Sequence, residues 1–352
     1  MAAPPDMKFG AASPASGPGR LREWAAGSGD AVHGHDRHPF GDDRKLLRET
    51  LYYCNLLTSD MRYLIIVGII AGAAAAAAAT AEPINPAPPI RIVAAENFYG
   101  DVARQIGDGG VAVTSILTNP DQDPHEFEAS PSTARAFADT AIVIVNGAGY
   151  DPWAVKLLSA SPNRSRSVLV VAALTHKKTG DNPHLWYDPA AMPALAEILA
   201  GELAKLDPVH RADYAQRLAI FRKSLEPLDQ RIAELRAKYS GTPVTATEPV
   251  FGDMAAALGL DMRNAGFQLA VMNDTEPSAE AIAAFENDLR SHAVKVLLYN
   301  SQTSEALTRR MRKIAAEAGV PVVGVAETEP RGKDYQEWML SQLNALDRAL
   351  AR

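Results

Sequence analysis

Between Ile90 and Leu350 the chain alternates short apolar runs of strand length with longer stretches of helical periodicity, which confines it to a small set of folds. Ile90 to Ala95, Val111 to Leu117, Ala141 to Asn146 and Ser167 to Val171 are such runs in the first half. Val244 to Ala246, Val294 to Tyr299 and Pro321 to Val325 are their counterparts in the second. Continuous runs such as Ile142-Val143-Ile144-Val145 mark parallel strands buried on both faces. Strand and helix alternating in both halves predict an α/β fold of two parallel-sheet lobes, with a ligand in the cleft between them at the carboxyl ends of the strands.

Helices are predicted near Phe98, after Ser130-Pro131-Ser132, over Ala194 to Leu206, Phe251 to Leu258, Thr303 to Ala318 and Tyr335 to Leu350. The longest spans Arg211 to Tyr239, where Leu218, Phe221, Leu225, Leu228, Ile232 and Leu235 recur at spacings of three and four and form a core-facing stripe. Asn146-Gly147-Ala148-Gly149 reads as a turn, since it has neither the third glycine nor the Lys-Ser/Thr of a phosphate loop.

Residues 1–60 are rich in Pro, Gly, Ser and charge, include His33, His35 and His38, and have no periodic apolar pattern; they read as an extension ahead of the true start. Met61-Arg62, an apolar run from Leu64 to Ala79 and the small-residue site Ala79-Thr80-Ala81 read as a signal peptide over 61–81, so that Glu82 begins an exported, periplasmic protein. A permanent anchor over Tyr63 to Ala81 is the competing reading. Cys54, the single cysteine, lies in the extension without the small residues of a lipid-attachment motif, so neither a disulfide nor a lipid anchor is expected. The balance of 35 Lys and Arg against 42 Asp and Glu, net −7, has no basic stripe and argues against nucleic acid.

Two Pro-His motifs carry the chemistry: Asp123-Pro124-His125-Glu126 and Asn182-Pro183-His184-Leu185-Trp186-Tyr187-Asp188-Pro189. Imidazole is a common ligand of first-row metals, and each proline stiffens the loop that presents it. Each motif follows a strand. Trp153, Trp186 and Tyr187 stand near them in sequence, as a wall for such a site or as ordinary core.

With the surrounding order of strands and helices, the paired motifs resemble the periplasmic solute-binding proteins of zinc and manganese ABC transporters, cluster A-I, from Ile90 to Leu350. The resemblance implies an amino-terminal lobe over 82–207, a linking helix over 208–240 that suppresses hinge bending, and a carboxy-terminal lobe over 241–352. It also implies metal ligands His125, His184 and Glu248, the last in Thr247-Glu248-Pro249 after a strand. The fourth family position is acidic; here Asn300 occupies the position read as its equivalent, so Asn300, Asp274 or water is expected to complete the set. The cargo implied is a divalent metal ion, zinc favoured for its imidazoles, with manganese, for Glu248, or iron as the alternative. The segment between the motifs holds only His176, without the histidine-rich insertion of many zinc members. The partners implied are a membrane permease and an ATPase, and the protein would act as a monomer, without enzymatic activity. A metallohydrolase using His125, His184 and Glu248 and a metal-dependent adhesin or metallochaperone are the alternatives of another class.

Overall fold

The computed structural model describes residues 88–352, apart from residues 304 and 305. The expectations for the signal peptide, Cys54 and the amino-terminal histidines therefore lie outside the described residues. In the amino-terminal lobe, β1 (Ile90–Glu96), α1 (Asn97–Gly107), β2 (Val111–Leu117), α2 (Pro131–Ala138), β3 (Ile142–Val145), α3 (Pro152–Ala160), β4 (Ser167–Val170) and α4 (Val171–Leu174) follow in order. The strands pair in parallel as β2-β1-β3-β4. Next come α5 (Ala191–Leu206), α6 (Arg211–Ser224) and α7 (Glu226–Tyr239).

The carboxy-terminal lobe repeats the plan with β5 (Pro243–Ala246), α8 (Gly252–Ala257), β6 (Asp261–Arg263), α9 (Ala265–Met272), α10 (Ala279–Arg290), β7 (Leu297–Asn300), α11 (Ala306–Ala318), β8 (Val322–Val325) and α12 (Tyr335–Leu350). Its parallel order is β6-β5-β7-β8. In each sheet the strand order reverses between the two central strands, where diverging connections leave a crevice at the carboxyl ends. Ala94 is in register with Ile144 and Ala246 with Leu298. Two residues further on, the same registers set Glu96 beside Asn146 and Glu248 beside Asn300.

The single helix expected over Arg211 to Tyr239 is two helices, α6 and α7, meeting at a turn at Leu225. Pro227 is the reason: it has no N–H to donate to the carbonyl of Lys223, and it disfavours helical geometry in the residue before it. The apolar stripe survives the break, with Phe221, Leu225, Leu228 and Leu235 buried. Asp347 of α12 holds α7 through Arg231 Nη2 (2.6 Å), Lys238 Nζ (3.0 Å) and the Tyr239 hydroxyl (2.7 Å).

The apolar interior is not divided lobe by lobe. One cluster runs from the amino-terminal sheet through Trp186, Tyr187, Phe251, Trp338 and Met339 into the inner side of the second sheet, and a smaller one beneath α9, α10 and α11 holds Phe267, Phe285, Leu289 and Met311. At the junction Tyr187 meets Phe251 at 5.1 Å and Trp338 at 5.9 Å, and the Tyr335 hydroxyl donates to the Trp186 carbonyl (2.8 Å). A packed junction of this kind resists separation of the lobes as rigid bodies and leaves the loops above it as the parts free to move.

Candidate metal centre

Four loops converge above the crevice. The first, after β2, carries His125 in a short 3-10 turn capped by Asp123, whose Oδ1 accepts from the His125 backbone N–H at 2.9 Å. The second carries His184, whose backbone N–H donates to Oδ1 of Asn182 at 3.3 Å and whose ring Nδ1 pairs with the same oxygen at 2.7 Å. Nδ1–H donating to that oxygen fixes the tautomer that leaves the Nε2 lone pair free, the arrangement usual for a metal-bound imidazole. Asn182 Nδ2 in turn donates to the Pro249 carbonyl (2.9 Å), beside Glu248 in the other lobe. Gly252 makes room for this amide, because a Cβ there would lie 2.9 Å from Asn182 Nδ2.

The Pro183 carbonyl accepts from Asn146 Nδ2 at 2.8 Å, and Asn146 Oδ1 accepts from the Tyr99 hydroxyl at 2.6 Å. Asn146 itself is set by the turn after β3, where Gly147 adopts φ 77° and Asp151 accepts from the backbone N–H groups of both residues. The His184 ring is thus positioned from the strand end outward. Its Nε2 is buried and makes no hydrogen bond.

That nitrogen and His125 Nε2 face one carboxylate oxygen, Glu327 Oε2, at 3.3 and 3.4 Å. Glu327 lies just beyond β8 and its side chain is fully buried; the Tyr150 hydroxyl also donates to Oε2 (3.0 Å). The donor atoms of His125, His184 and Glu327 all lie within 4.8 Å of one another, and no other such group of His, Cys, Asp and Glu occurs among the described residues. Bond lengths of about 2.0–2.2 Å in a tetrahedral site imply donor separations of about 3.4 Å, close to those observed.

Glu248 stands behind this trio. Asn300 Nδ2 donates to Glu248 Oε2 (3.1 Å) and Glu327 Oε1 (2.5 Å), and Thr303 Oγ1 donates to Glu248 Oε1 (3.1 Å). Asn300 is one of the three candidates, with Asp274 and water, that the sequence offers to complete the set. Its oxygen instead accepts from the Gln302 backbone N–H (3.0 Å), and its nitrogen spaces the two carboxylates. Asp274 is exposed in the turn after α9 and takes no part in the trio. Glu327, two residues beyond β8, is the acid that the fold brings to the two imidazoles; its one sequence signal is that position shortly after a strand.

Electrostatics follow from burial. Burial opposes ionisation of Glu327, but His184 and His125 outweigh it and hold the carboxyl well below the usual carboxylate range. Burial lowers the His125 imidazole, yet its hydrogen bond to Glu327 and that carboxylate's charge push it up to about 9. Burial first, and then the charge of Glu327, push Glu248 up to about 7. Two imidazoles and two carboxylates balance the charge of a dication, whereas the set expected from the sequence, with Asn300 in place of an acid, left one positive charge.

A family model described as zinc-uptake complex component A, periplasmic (ZnuA), matches residues 92–349. The manganese ABC transporter substrate-binding lipoprotein PsaA of Streptococcus anginosus is 21% identical over 314 residues, covering 82% of this chain and 97% of that protein. Among solved structures, the periplasmic zinc binding protein TroA from Treponema pallidum superposes with a TM-score of 0.65 at 18% identity, covering 75% of this chain and 100% of that one. A Mn-bound mutant of the periplasmic metal binding protein from candidatus Liberibacter asiaticus gives a TM-score of 0.60 at 17% identity, covering 74% and 99%. The likeness to both structures is one of fold.

Proposed function

The chain belongs to the family of periplasmic zinc-uptake complex component A, and we propose that it captures one divalent metal ion in the periplasm and delivers it to the permease and ATPase of an ABC importer. The role is one of binding without a chemical step. His125 Nε2, His184 Nε2 and Glu327 Oε2 are the ligands, Glu248 completes the set as the fourth, and Asn300 keeps the two carboxylates apart by donating to both. The single observation that carries this reading is the buried His184 Nε2: it makes no hydrogen bond, its other ring nitrogen is fixed by Asn182, and it faces Glu327 Oε2 at 3.3 Å.

His184 and Glu327 have no side-chain exposure, whereas His125 keeps 32%. Metal therefore enters past His125 and is enclosed when that imidazole swings onto it. Binding requires both imidazoles neutral and both acids ionised, so loading releases protons and weakens as the pH falls. Zinc is favoured as the tighter binder, because two imidazoles suit the later first-row metals and zinc lies above manganese in intrinsic affinity. Manganese is the second reading, favoured by the pair of carboxylates, since oxygen donors suit that ion.

The test is a competitive titration of the metal-free full chain with zinc and manganese under identical conditions. One tight equivalent is expected, with zinc displacing manganese. A manganese preference would change the cargo and keep the mechanism, and no tight equivalent of either would end the capture reading. Chelation should lower the melting temperature without unfolding the protein, because the apolar clusters do not depend on the site. Complete unfolding would support a structural metal instead.

A further inference from the structure

Gln302 stands in the loop after β7, and all four of its side-chain hydrogen-bonding positions are used. Oε1 accepts from the backbone N–H groups of Glu327 (2.5 Å) and Thr328 (3.0 Å). Nε2 donates to Thr328 Oγ1 (3.0 Å) and, across the cleft, to the carbonyl of Gln122 (2.8 Å). Gln122 belongs to the His125 loop. One amide therefore grips the Glu327 segment of one lobe and the His125 segment of the other.

The His125 loop has few other holds. Its regular structure is a single 3-10 turn, and Phe127 rests on Trp153 at a centroid distance of 4.8 Å. A cavity of about 100 Å³, lined among others by Leu117, Gln122, Pro124, Phe127 and Thr328, lies against it in place of solid packing. The other polar contact of this loop with Glu327, through His125 Nε2, uses the very atoms assigned to the metal. The Gln302-to-Gln122 hydrogen bond can persist with metal bound.

We propose that Gln302 is a latch: it fastens the His125 loop over the loaded cleft and sets how fast metal leaves. The proposal rests on the reading of the cleft as a metal site. Gln302 is a positioning residue, acting on metal only through His125 and Glu327.

The experiment loads the full chains of the wild type, Gln302→Ala and Gln302→Glu with zinc and follows release into excess chelator, with melting of the metal-free proteins and hydrogen exchange of the loaded ones in parallel. Both variants are expected to hold one equivalent and to release it about tenfold faster, the loss of about one net hydrogen bond. In Gln302→Glu metal-free melting should be unchanged and exchange should rise in residues 119–127 alone, whereas Gln302→Ala also frees the Glu327 and Thr328 N–H groups and should raise exchange there as well. Gln302→Glu separates the two arms, because a carboxylate still accepts from Glu327 and Thr328 but cannot donate to Gln122. Its added negative charge would by itself slow release of a cation, so acceleration isolates the lost link. Wild-type release from Gln302→Glu, or exchange raised throughout the protein, would overturn the latch. Failure of the wild type to hold zinc would instead overturn the metal reading beneath it.

Discussion

The amino-terminal lobe supplies both imidazoles of the cleft and the carboxy-terminal lobe supplies both carboxylates, although the two sheets are built on one plan. The strand-end pairs make the contrast sharp. In the first lobe Glu96 lies beside Asn146 by register; its carboxyl is buried with neither oxygen hydrogen-bonded, and Asn146 turns its amide outward to hold Pro183 and the His184 loop. In the second lobe the corresponding Asn300 donates to its partner acid Glu248 and to Glu327. A switch point offers a place for polar groups, and the neighbours decide how far an acid there is held neutral.

The largest effect should come from removing one donor of either lobe. His184→Ala and Glu327→Gln are each expected to weaken zinc binding by more than about a hundredfold by competitive titration, since even supporting residues cost about 10–100-fold. If only the histidine variant lost binding, the carboxylate half of the comparison would fall. The supporting amides come next: Asn182→Ala and Asn300→Ala should each cost about 10–100-fold, the first by freeing an imidazole and the second by leaving two carboxylates unspaced. A loss in Asn300→Ala as large as that in His184→Ala would make Asn300 a ligand after all.

The Glu96 side of the comparison is tested by stability rather than by metal. Burial, and then the neighbouring Asp151 carboxylate, push Glu96 well above its ordinary value. Above the ordinary carboxyl pKa the unfolded chain has lost this proton while the folded chain keeps it, so stability falls as the pH rises toward the folded pKa. Glu96→Gln removes that penalty and should stabilise the metal-free protein at pH 8 while changing it little near pH 4, as read by urea unfolding. Equal effects at both values would mean that Glu96 is ionised in the fold.

The smallest effect belongs to Asp347, whose bond to Tyr239 and then to Lys238 lowers its pKa. Its contribution is present above the unfolded carboxyl pKa and is lost as the pH falls through the folded one. Solvent screening limits the cost of Asp347→Asn to about 1 kcal/mol or less at neutral pH.

Much of this molecule is legible without coordinates. Runs such as Ile142 to Val145 read as buried strand in an alternating chain, and prolines ahead of His125 and His184 mark loops that present a side chain. The break at Leu225 was also written in the sequence, by Pro227, but the unbroken apolar stripe concealed it. Strand β6, Asp261–Arg263, is three residues long, with two of them charged; its pairing with β5 makes it a strand, and no local pattern could. Glu327 escaped because an acid in a polar loop is ordinary until its burial is known. The role of Asn300 depends on which end of its amide meets two carboxylates, and that orientation is set by residues far apart in sequence.

The central claim is that one lobe contributes nitrogen and the other oxygen to a single metal ion. X-ray absorption at the metal edge of the zinc-loaded full chain reads this directly, because imidazole scattering is distinct from that of carboxylate. Two imidazoles, with oxygen completing the shell, are the predicted result. A shell needing one imidazole, or three, would contradict the account.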